Sequence, residues 1–594
     1  MALPLNAIGA SIEPYLLLYI VIHCIKVLGQ GELPAMAAVP MLLLKVSAQV
    51  RFTCCRVVRK LESYGFRSCS KLHHVDRHSL SPTVAGGGSS HGGDGQALVC
   101  DFEGALLSTS CTFPYFMLVA FEGGGPLRAL LLLLLWPLLW ALSRVRREST
   151  MRAMAFVTFC GLSAGAVDLV RRAVLSKFYL ENLRLQPCEM LAACTGRRVV
   201  VTAMPRPMVE GFLREYLGVS EVVAPELQVA EGRRHFTGFL SVFSRQKALE
   251  ELFRESKADV AVLSPCNSHD HLLATYSKVR RTISSDIFSG GKFCMTRREL
   301  QNWKRFSLID LSRNEQEIYV VNEEGAATAL PRDKYTKPLV FHDGRLAFFP
   351  TPCATLAFFL WVPIAVPLAI SRILIGTVLP YDLALLVAAS AGIRFRLGGQ
   401  LPAARKGVLF ACNHRTLLDP VVLSAALRRP VPAVTYGLSR VSEMIAPVRT
   451  VRLARDRVRD AATIRRMLEK GELAMCPEGT TCREPYLLRF SPLFAEVADD
   501  IVPVAVETRV GTLHGTTASG RKWFDPVSFL MDPAPVYEIH VLTPMLPAGG
   551  RSPAEVANAV QRRIAEVLGF ECTGLTRREK YLLLAGNEGG DGWR

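Results

Sequence analysis

The sequence contains no CxxC pair, no zinc-finger spacing, no basic motif interleaved with aromatic residues and no internal repeat. Its 16 cysteines are scattered over 594 residues, which is typical of a reduced, intracellular protein rather than of a disulfide framework. Acidic residues are also few, 53 against 70 lysines and arginines, so the formal net charge is +17. Because no nucleic-acid motif accompanies this charge, we expect no nucleic-acid partner and predict contact with an anionic lipid bilayer.

Uninterrupted apolar runs of spanning length are also missing, although 50% of the residues are hydrophobic and the mean hydropathy is +0.23. A spanning helix needs about 20 apolar residues. Ala129–Leu142 is uncharged but shorter, and Met154–Val170 contains Asp168. We predict that these stretches form a membrane hairpin, residues 129–170, that dips into the cytosolic leaflet, because a full crossing would put its basic turn on the wrong side. Residues 350–392 form a second membrane hairpin, which either crosses twice or re-enters.

The apolar segments divide the chain into four regions of an α/β protein. Residues 1–96 form an apolar and basic extension that ends in a Gly/Ser-rich linker. Residues 97–340 are a first α/β domain, interrupted by the first hairpin. The second hairpin then leads to a second α/β domain, residues 393–594.

A histidine and an aspartate five positions apart follow a predicted strand in the second domain. Gly407–Cys412 delivers His414 to its carboxyl end, and Asp419 lies little more than one helical turn further on. A carboxylate bonded to one imidazole nitrogen fixes the tautomer and raises the basicity of the other nitrogen. We therefore predict that His414 is a general base and that Asp419 orients it. No enzyme nucleophile is needed, since an acceptor hydroxyl can attack a thioester directly.

Two further blocks supply groups that suit a phosphorylated alcohol. Arg452, Arg455 and Arg457 offer bidentate donors for a phosphate. A short buried strand then ends in Pro477-Glu478-Gly479-Thr480, where the glycine allows close backbone approach to a ligand and the carboxylate can accept polyol hydroxyls. Each block alone is compatible with an ordinary helix edge or turn. Their order along the chain indicates acyl transfer to a phosphorylated alcohol.

The order of these blocks resembles the glycerolipid acyltransferase superfamily, and two later motifs narrow the resemblance. Leu513–Gly520 and Phe570–Tyr581 are similar to land-plant membrane-bound glycerol-3-phosphate acyltransferases. The resemblance implies the sn-2 branch of that family, whose products feed cutin, suberin or anther lipids. It also implies the endoplasmic reticulum membrane, while the basic, acid-poor start leaves a mitochondrial membrane as the alternative.

Residue by residue, the resemblance implies one acyltransferase site. His414 is the base and Asp419 its orienter. Glycerol 3-phosphate is held by four residues, with two more arginines beside them: Arg455, Glu478, Gly479, Thr480, and then Arg452 and Arg457. The donor is acyl-CoA, which is a co-substrate, so neither a cofactor nor a metal is expected.

The same plant family carries an N-terminal domain similar to haloacid-dehalogenase phosphatases, which implies a Rossmann-like sheet. Those enzymes use a nucleophilic aspartate, an acidic acid/base two residues later, a hydroxyl and a lysine for the phosphoryl group, and a final acidic ligand for Mg²⁺. The corresponding positions hold Asp101, Glu103, Thr202, Lys247 and Ser264. Glu103 is one methylene too long, and Ser264 stands where a carboxylate is required. We therefore expect a folded but inactive phosphatase-like domain, and a lysophosphatidate product that keeps its phosphate.

Three other functions remain compatible with the residues. The same blocks serve acylation of lysophosphatidate or another lysophospholipid. A bifunctional acyltransferase-phosphatase would give monoacylglycerol, but Ser264 disfavours it. A non-catalytic membrane scaffold is disfavoured by the intact His414, Asp419, Arg455 and Glu478.

Overall fold

Two α/β domains follow one another along the part of the chain that the structure describes. This computed structural model describes residues 97–109, 111–230, 234–241, 243–254, 258–263, 319–320, 329–337, 339–436, 443, 446–515, 524–545 and 550–586. The extension predicted for residues 1–96 and the predicted phosphatase-site residue Ser264 lie outside the described residues.

A five-stranded parallel sheet forms the first domain. Its strand order is β3-β2-β1-β6-β7, so the most N-terminal of these strands lies at the centre. The chain changes direction across the sheet after β3, and ligands bind open α/β sheets at the carboxyl ends of strands beside such a switch point. In chain order the strands are β1 (Leu98–Asp101), β2 (Arg198–Val201), β3 (Glu221–Val223), an antiparallel pair β4 (Leu227–Val229) and β5 (Phe236–Leu240), β6 (Val260–Leu263) and β7 (Tyr319–Val320).

A helical insertion separates β1 from β2. In chain order its helices are α1 (Phe113–Gly124), α2 (Pro126–Leu134), α3 (Trp136–Val145), α4 (Arg147–Phe159), α5 (Ala164–Val170), which continues through a π-helical segment (Arg171–Leu175) into α6 (Ser176–Glu181), and α7 (Leu185–Ala193). The first predicted hairpin arm falls on α2 and α3, which are bent by 50°. The second arm, Met154–Val170, is divided between α4 and α5, and its Phe159 and Val167 side chains are buried inside the protein.

The remaining helices of the first domain flank its sheet, and two apolar helices lead out of it. α8 (Arg206–Leu217) follows β2 and α9 (Arg245–Leu252) precedes β6. α10 (Pro352–Val378) is long and apolar enough to cross a membrane, and the shorter apolar α11 (Tyr381–Ser390) follows it. These two helices coincide with the second predicted hairpin.

The second domain is built on a seven-stranded mixed sheet of order β11-β10-β12-β9-β14-β15-β8. Its central strands β9 and β12 are buried along their whole length, as continuous apolar runs require. Its strands are β8 (Arg394–Gly399), β9 (Val408–Cys412), β10 (Ala433–Thr435), β11 (Thr450–Arg452), β12 (Leu473–Met475), β14 (Asp500–Arg509) and β15 (Val536–Val541), with β13 (Tyr486–Leu487) and β16 (Glu571–Cys572) paired separately. Its helices are α12 (Asp419–Leu427), α13 (Arg457–Lys470), α14 (Leu493–Val497), α15 (Phe524–Leu530), α16 (Pro553–Leu568) and α17 (Arg577–Ala585).

One cluster of buried apolar side chains extends through both domains. It includes Val200 of the first sheet, Phe358 of α10 and Phe410 of the second sheet. Apolar burial is the dominant favourable term in folding. The two domains therefore stabilise each other through a common core.

Candidate active site

The predicted histidine lies at the carboxyl end of the central strand β9. Immediately after the strand, the Asn413 side chain accepts a hydrogen bond from Val506 N (2.7 Å) and donates one to Val506 O (2.9 Å). This buried amide fixes the strand end against β14. His414 follows, with its side chain 15% exposed.

Asp419 is fully buried at the first position of α12, and it bonds the His414 ring as predicted. The distance from Asp419 Oδ2 to His414 Nδ1 is 2.8 Å. The carboxylate also accepts hydrogen bonds from Arg415 N (2.7 Å) and Thr416 N (3.1 Å), and from the Tyr537 hydroxyl. An ionised carboxylate only accepts, so His414 Nδ1 carries the proton and Nε2 holds a lone pair. Within the described part of the chain, no residue hydrogen-bonds that Nε2.

The Glu478 side chain contacts the backbone of His414, the predicted base. Its Oε1 accepts the His414 N–H (2.8 Å) and its Oε2 accepts the Leu488 N–H (3.1 Å). Burial raises the pKa of this carboxyl to about 7, while the two N–H groups oppose the rise. The carboxylate predicted to bind polyol hydroxyls thus has both oxygens engaged by the protein and lies 4% exposed.

The loop after Glu478 presents open backbone beside the histidine. Gly479 has φ +68°, and a Cβ added there would meet nothing within 4 Å. The Thr480 hydroxyl lies 3.4 Å from the Tyr581 hydroxyl, and the fully buried Lys580 donates to the Thr481 carbonyl (2.5 Å). The C-terminal helix α17 therefore holds this loop in place.

The three predicted arginines are not equivalent in the structure. Arg452 pairs with Glu443 (2.8 Å), and Arg457 pairs with Glu496. Arg455 is exposed and has no hydrogen bond or ion pair to any residue in the described ranges. Its φ of +63° is unusual for a side chain with a Cβ, and such strain concentrates at functional sites. Arg455 is thus the member of the block that is best placed to bind an incoming anion.

A metal could in principle use the same corner of the site. Ligand atoms of His414, Asp419 and Cys476 lie within 4.8 Å of one another. The histidine and aspartate are already bonded to each other, and burial raises the pKa of the Cys476 thiol well above its usual range, which disfavours the thiolate that metals bind. The arrangement fits a proton-transfer pair better than a metal site.

Three of the predicted phosphatase residues come together at the carboxyl ends of β1 and β2. Asp101 ends β1, Glu103 lies two residues further on, and Thr202 follows β2; all three are at least nine-tenths buried. Glu103 Oε1 accepts hydrogen bonds from Thr202 Oγ1 (2.5 Å), Ala203 N (2.9 Å) and Met204 N (3.1 Å). Lys247 is exposed on α9.

Sequence comparisons agree with this two-domain architecture. A family model described as "Glycerol-3-phosphate acyltransferase RAM2-like, HAD-like domain" matches residues 97–283, and an acyltransferase model matches residues 394–507. Glycerol-3-phosphate acyltransferase 1 of Arabidopsis thaliana is 46% identical over 513 residues, covering 82% of this chain and 81% of the relative. The chain belongs to the plant glycerol-3-phosphate acyltransferase family.

Other members and one solved structure are also similar. Glycerol-3-phosphate acyltransferase RAM2 of Petunia hybrida is 42% identical over 499 residues, covering 82% of this chain and 96% of that protein. The crystal structure of the 1-acyl-sn-glycerophosphate acyltransferase PlsC from Thermotoga maritima is 16% identical, covers 36% of this chain and 93% of that chain, and has a TM-score of 0.25. The predicted family and the predicted fold class, a haloacid-dehalogenase-like domain followed by an acyltransferase domain, are thus confirmed.

Two residues that contact the candidate site of this family member, Arg415 and Tyr537, were not singled out from the sequence. The Arg415 guanidinium donates to the carbonyls of Cys482, Arg483 and Glu484, each at 2.7 Å, and so fixes the far end of the Glu478 loop. Arg415 adjoins the predicted histidine and could have been suspected on that ground. Tyr537, which donates to Asp419, has no local signal in the sequence.

Proposed function

We propose that this chain transfers an acyl group from acyl-CoA to a hydroxyl of glycerol 3-phosphate and releases lysophosphatidate and coenzyme A. The observation that carries the proposal is the His414–Asp419 pair, in which a fully buried carboxylate holds Nδ1 and leaves Nε2 to act as a base. The relatives' names as glycerol-3-phosphate acyltransferases support the acceptor.

The chemistry follows from this pair. His414 Nε2 takes the proton of the acceptor hydroxyl as its oxygen attacks the thioester carbonyl carbon. The carbon–sulfur bond then breaks, and the imidazolium returns its proton to the departing thiolate of coenzyme A. Asp419 holds the ring and stabilises its positive charge. General base catalysis of this kind contributes about 10²–10⁴-fold.

Arg455 and the Glu478 loop support binding of the acceptor. The Arg455 guanidinium, which no described residue pairs, suits the phosphate, and the open backbone beside Gly479 admits the glycerol. Glu478 and Thr480 stay predicted ligands, although the contacts of Glu478 favour a positioning role toward His414. Arg452 and Arg457 are already paired with glutamates and would contribute mainly positive potential.

The remaining details of the proposal rest on the resemblance. They are sn-2 regiochemistry, an acyl-CoA donor, use of the product for membrane or extracellular lipid such as cutin or suberin, and the endoplasmic reticulum membrane. Retention of the phosphate is supported by Glu103 at the position where phosphatases of this type carry an aspartate.

Product analysis tests the acceptor and regiochemistry together. The full chain in lipid nanodiscs is incubated with oleoyl-CoA and either glycerol 3-phosphate or lysophosphatidate, and the products are separated by position of the acyl group. We expect 2-acyl lysophosphatidate from the first acceptor and no monoacylglycerol. Faster acylation of lysophosphatidate would instead assign the chain as a lysophospholipid acyltransferase, and free phosphate above the level of an Asp101→Asn variant would make it bifunctional.

We also propose that α10 and α11 lie in one leaflet of the bilayer rather than crossing it. Trp361 donates to the Met531 carbonyl (2.9 Å), and the buried Arg372 donates to carbonyls of Leu530, Asp532, Pro533 and Ala391. α10 is therefore bound to the acyltransferase domain between these two side chains, over about 16 Å. Its opposite face exposes apolar residues, including Ile370 (54%) and Leu374 (56%).

The bent pair α2–α3 supports the same placement. It contacts α10 through α2, and it exposes Leu127 (81%), Leu134 (69%) and Leu138 (66%). An exposed apolar surface of this kind marks a protein or membrane contact. Arg144, Arg146 and Arg147 at the end of the pair suit anionic headgroups at the cytosolic face.

Glycosylation mapping tests this placement. An Asn-X-Thr acceptor is introduced at the turn between α10 and α11, and the chain is synthesised with endoplasmic reticulum microsomes beside a control protein with a lumenal acceptor. In-plane helices predict no glycan on the chain and full modification of the control. A glycan at the turn would show that α10 crosses.

A further inference from the structure

Three hydrogen-bond donors at the carboxyl end of β2 converge on a single oxygen atom. They are Thr202 Oγ1 and the N–H groups of Ala203 and Met204, which we call the β2 oxyanion site. All three point to Glu103 Oε1, at 2.5, 2.9 and 3.1 Å. A hydroxyl and two successive amides aimed at one point form a general binding arrangement for an anionic oxygen.

This arrangement lies where the fold binds ligands. It is at the carboxyl ends of the neighbouring strands β1 and β2, beside the switch point of the sheet. Asp101, at the nucleophile position, ends β1 two residues before Glu103. In this chain an internal carboxylate fills the oxyanion site, and Glu103 is only 5% exposed.

The length of the glutamate explains how this is possible. Glu103 leaves β1 in a loop whose next residue, Gly104, has φ +92°, and its extra methylene carries the carboxylate about 1.5 Å further than an aspartate would reach. A charged acceptor with three donors is held more firmly than a neutral one.

We propose that Glu103 is a built-in anion that occupies the phosphoryl-oxygen site of the haloacid-dehalogenase-like domain, and that its removal opens a site for inorganic phosphate or a phosphomonoester. The native domain is then closed to phosphorylated compounds, including lysophosphatidate. This inference does not depend on the acyltransferase activity proposed above, because it concerns only the first sheet.

Phosphate binding by variants of the full chain in nanodiscs tests the proposal. The probe is radiolabelled inorganic phosphate in equilibrium dialysis. The opened variant is Asp101→Asn/Glu103→Ala, which removes the internal anion together with the neighbouring charge that would repel phosphate. The matched control adds Thr202→Val, which deletes the hydroxyl donor of the oxyanion site. Any phosphate bound at the acyltransferase site is the same in all these proteins, so it does not affect the difference in bound phosphate between them.

We expect the opened variant to bind one more phosphate per chain than the wild type, Asp101→Asn or the Thr202→Val control. Phosphate at ten times its Kd should also raise the ratio of folded to unfolded opened variant by about 11-fold. Equal binding by the opened variant and its Thr202→Val control, with acyltransferase turnover retained in both, would overturn the proposal.

Hydrogen exchange of the wild type gives a second test that needs no variant to fold. The amides of Ala203 and Met204 should be protected in phosphate-free buffer, and added phosphate should leave their exchange unchanged. Protection that appears only with phosphate would mean that the oxyanion site is open in the native protein, contrary to the proposal.

Discussion

Replacement of Glu478 by glutamine separates the two roles that this residue could have. The carboxylate accepts the backbone N–H groups of His414 and Leu488, one on each oxygen. A carboxamide has only one accepting oxygen, so one of these buried N–H groups loses its partner, at a cost of about 1–3 kcal/mol. The chain can avoid part of this cost only by moving one of the two segments.

A shift of the His414 backbone should appear in turnover. A displacement of about 1 Å in catalytic geometry lowers the rate by about 10²-fold. We therefore expect Glu478→Gln to lower kcat by about that factor and to change the KM for glycerol 3-phosphate little, as for an interaction that acts in the transition state. Steady-state kinetics at saturating oleoyl-CoA provide the measurement.

A matched variant controls for the loss of a buried carboxylate. Glu472 pairs with Arg429 at the amino end of β12, the strand whose carboxyl end leads to Glu478, so Glu472→Gln should lower stability without lowering kcat. If Glu478→Gln instead kept its kcat and raised the KM for glycerol 3-phosphate about tenfold, Glu478 would be a substrate ligand and the positioning argument would be refuted.

Three further predictions address the proposed base, the proposed phosphate ligand and a buried acid. His414→Ala should lower kcat by about 10²–10⁴-fold with oleoyl-CoA binding unchanged, and turnover within twofold of wild type would rule out the base. Arg455→Gly should relieve the strain of the positive φ and raise the unfolding free energy by about 1 kcal/mol. It should also raise the KM for glycerol 3-phosphate. The control Arg428→Gly, also at positive φ, should stabilise the fold without any change in that KM. Burial raises the pKa of Glu122 to about 7. The folded state therefore holds the Glu122 proton more tightly than the unfolded chain does. This stabilisation is fully present below the usual pKa of a glutamate and is lost as the pH rises through 7. Chemical denaturation at pH 5 and pH 8 should therefore show a loss of up to about 3 kcal/mol that Glu122→Gln lacks, and an equal loss in both proteins would contradict this.

The sequence was most informative where the functional contacts are local. His414 and Asp419 lie within one helical turn, so their spacing alone predicted the hydrogen bond that the structure contains. Buried strands such as β9 were equally readable, because continuous apolar residues are typical of central parallel strands. The assignment of substrate ligands stays a prediction.

Contacts between distant segments could not be predicted in the same way. Arg415 reaches carbonyls 67 to 69 positions away, and Tyr537 reaches Asp419 across 118 positions. The length of Glu103 suggested misplaced chemistry, but the donors that receive its carboxylate lie 99 to 101 residues later. No periodicity or spacing rule connects such positions before the fold is known.

Arg372 has a consequence for where the acyltransferase region can be cut. The family model begins at residue 394, yet this guanidinium binds carbonyls on both sides of that point, at Ala391 and at Leu530–Pro533. A fragment that starts at the family boundary would lack Arg372, leave the carbonyls of Leu530, Asp532 and Pro533 without this donor, and expose the apolar surface beneath α10. An acyltransferase fragment that keeps these contacts therefore includes α10, and the boundary of sequence similarity is not a boundary of folding.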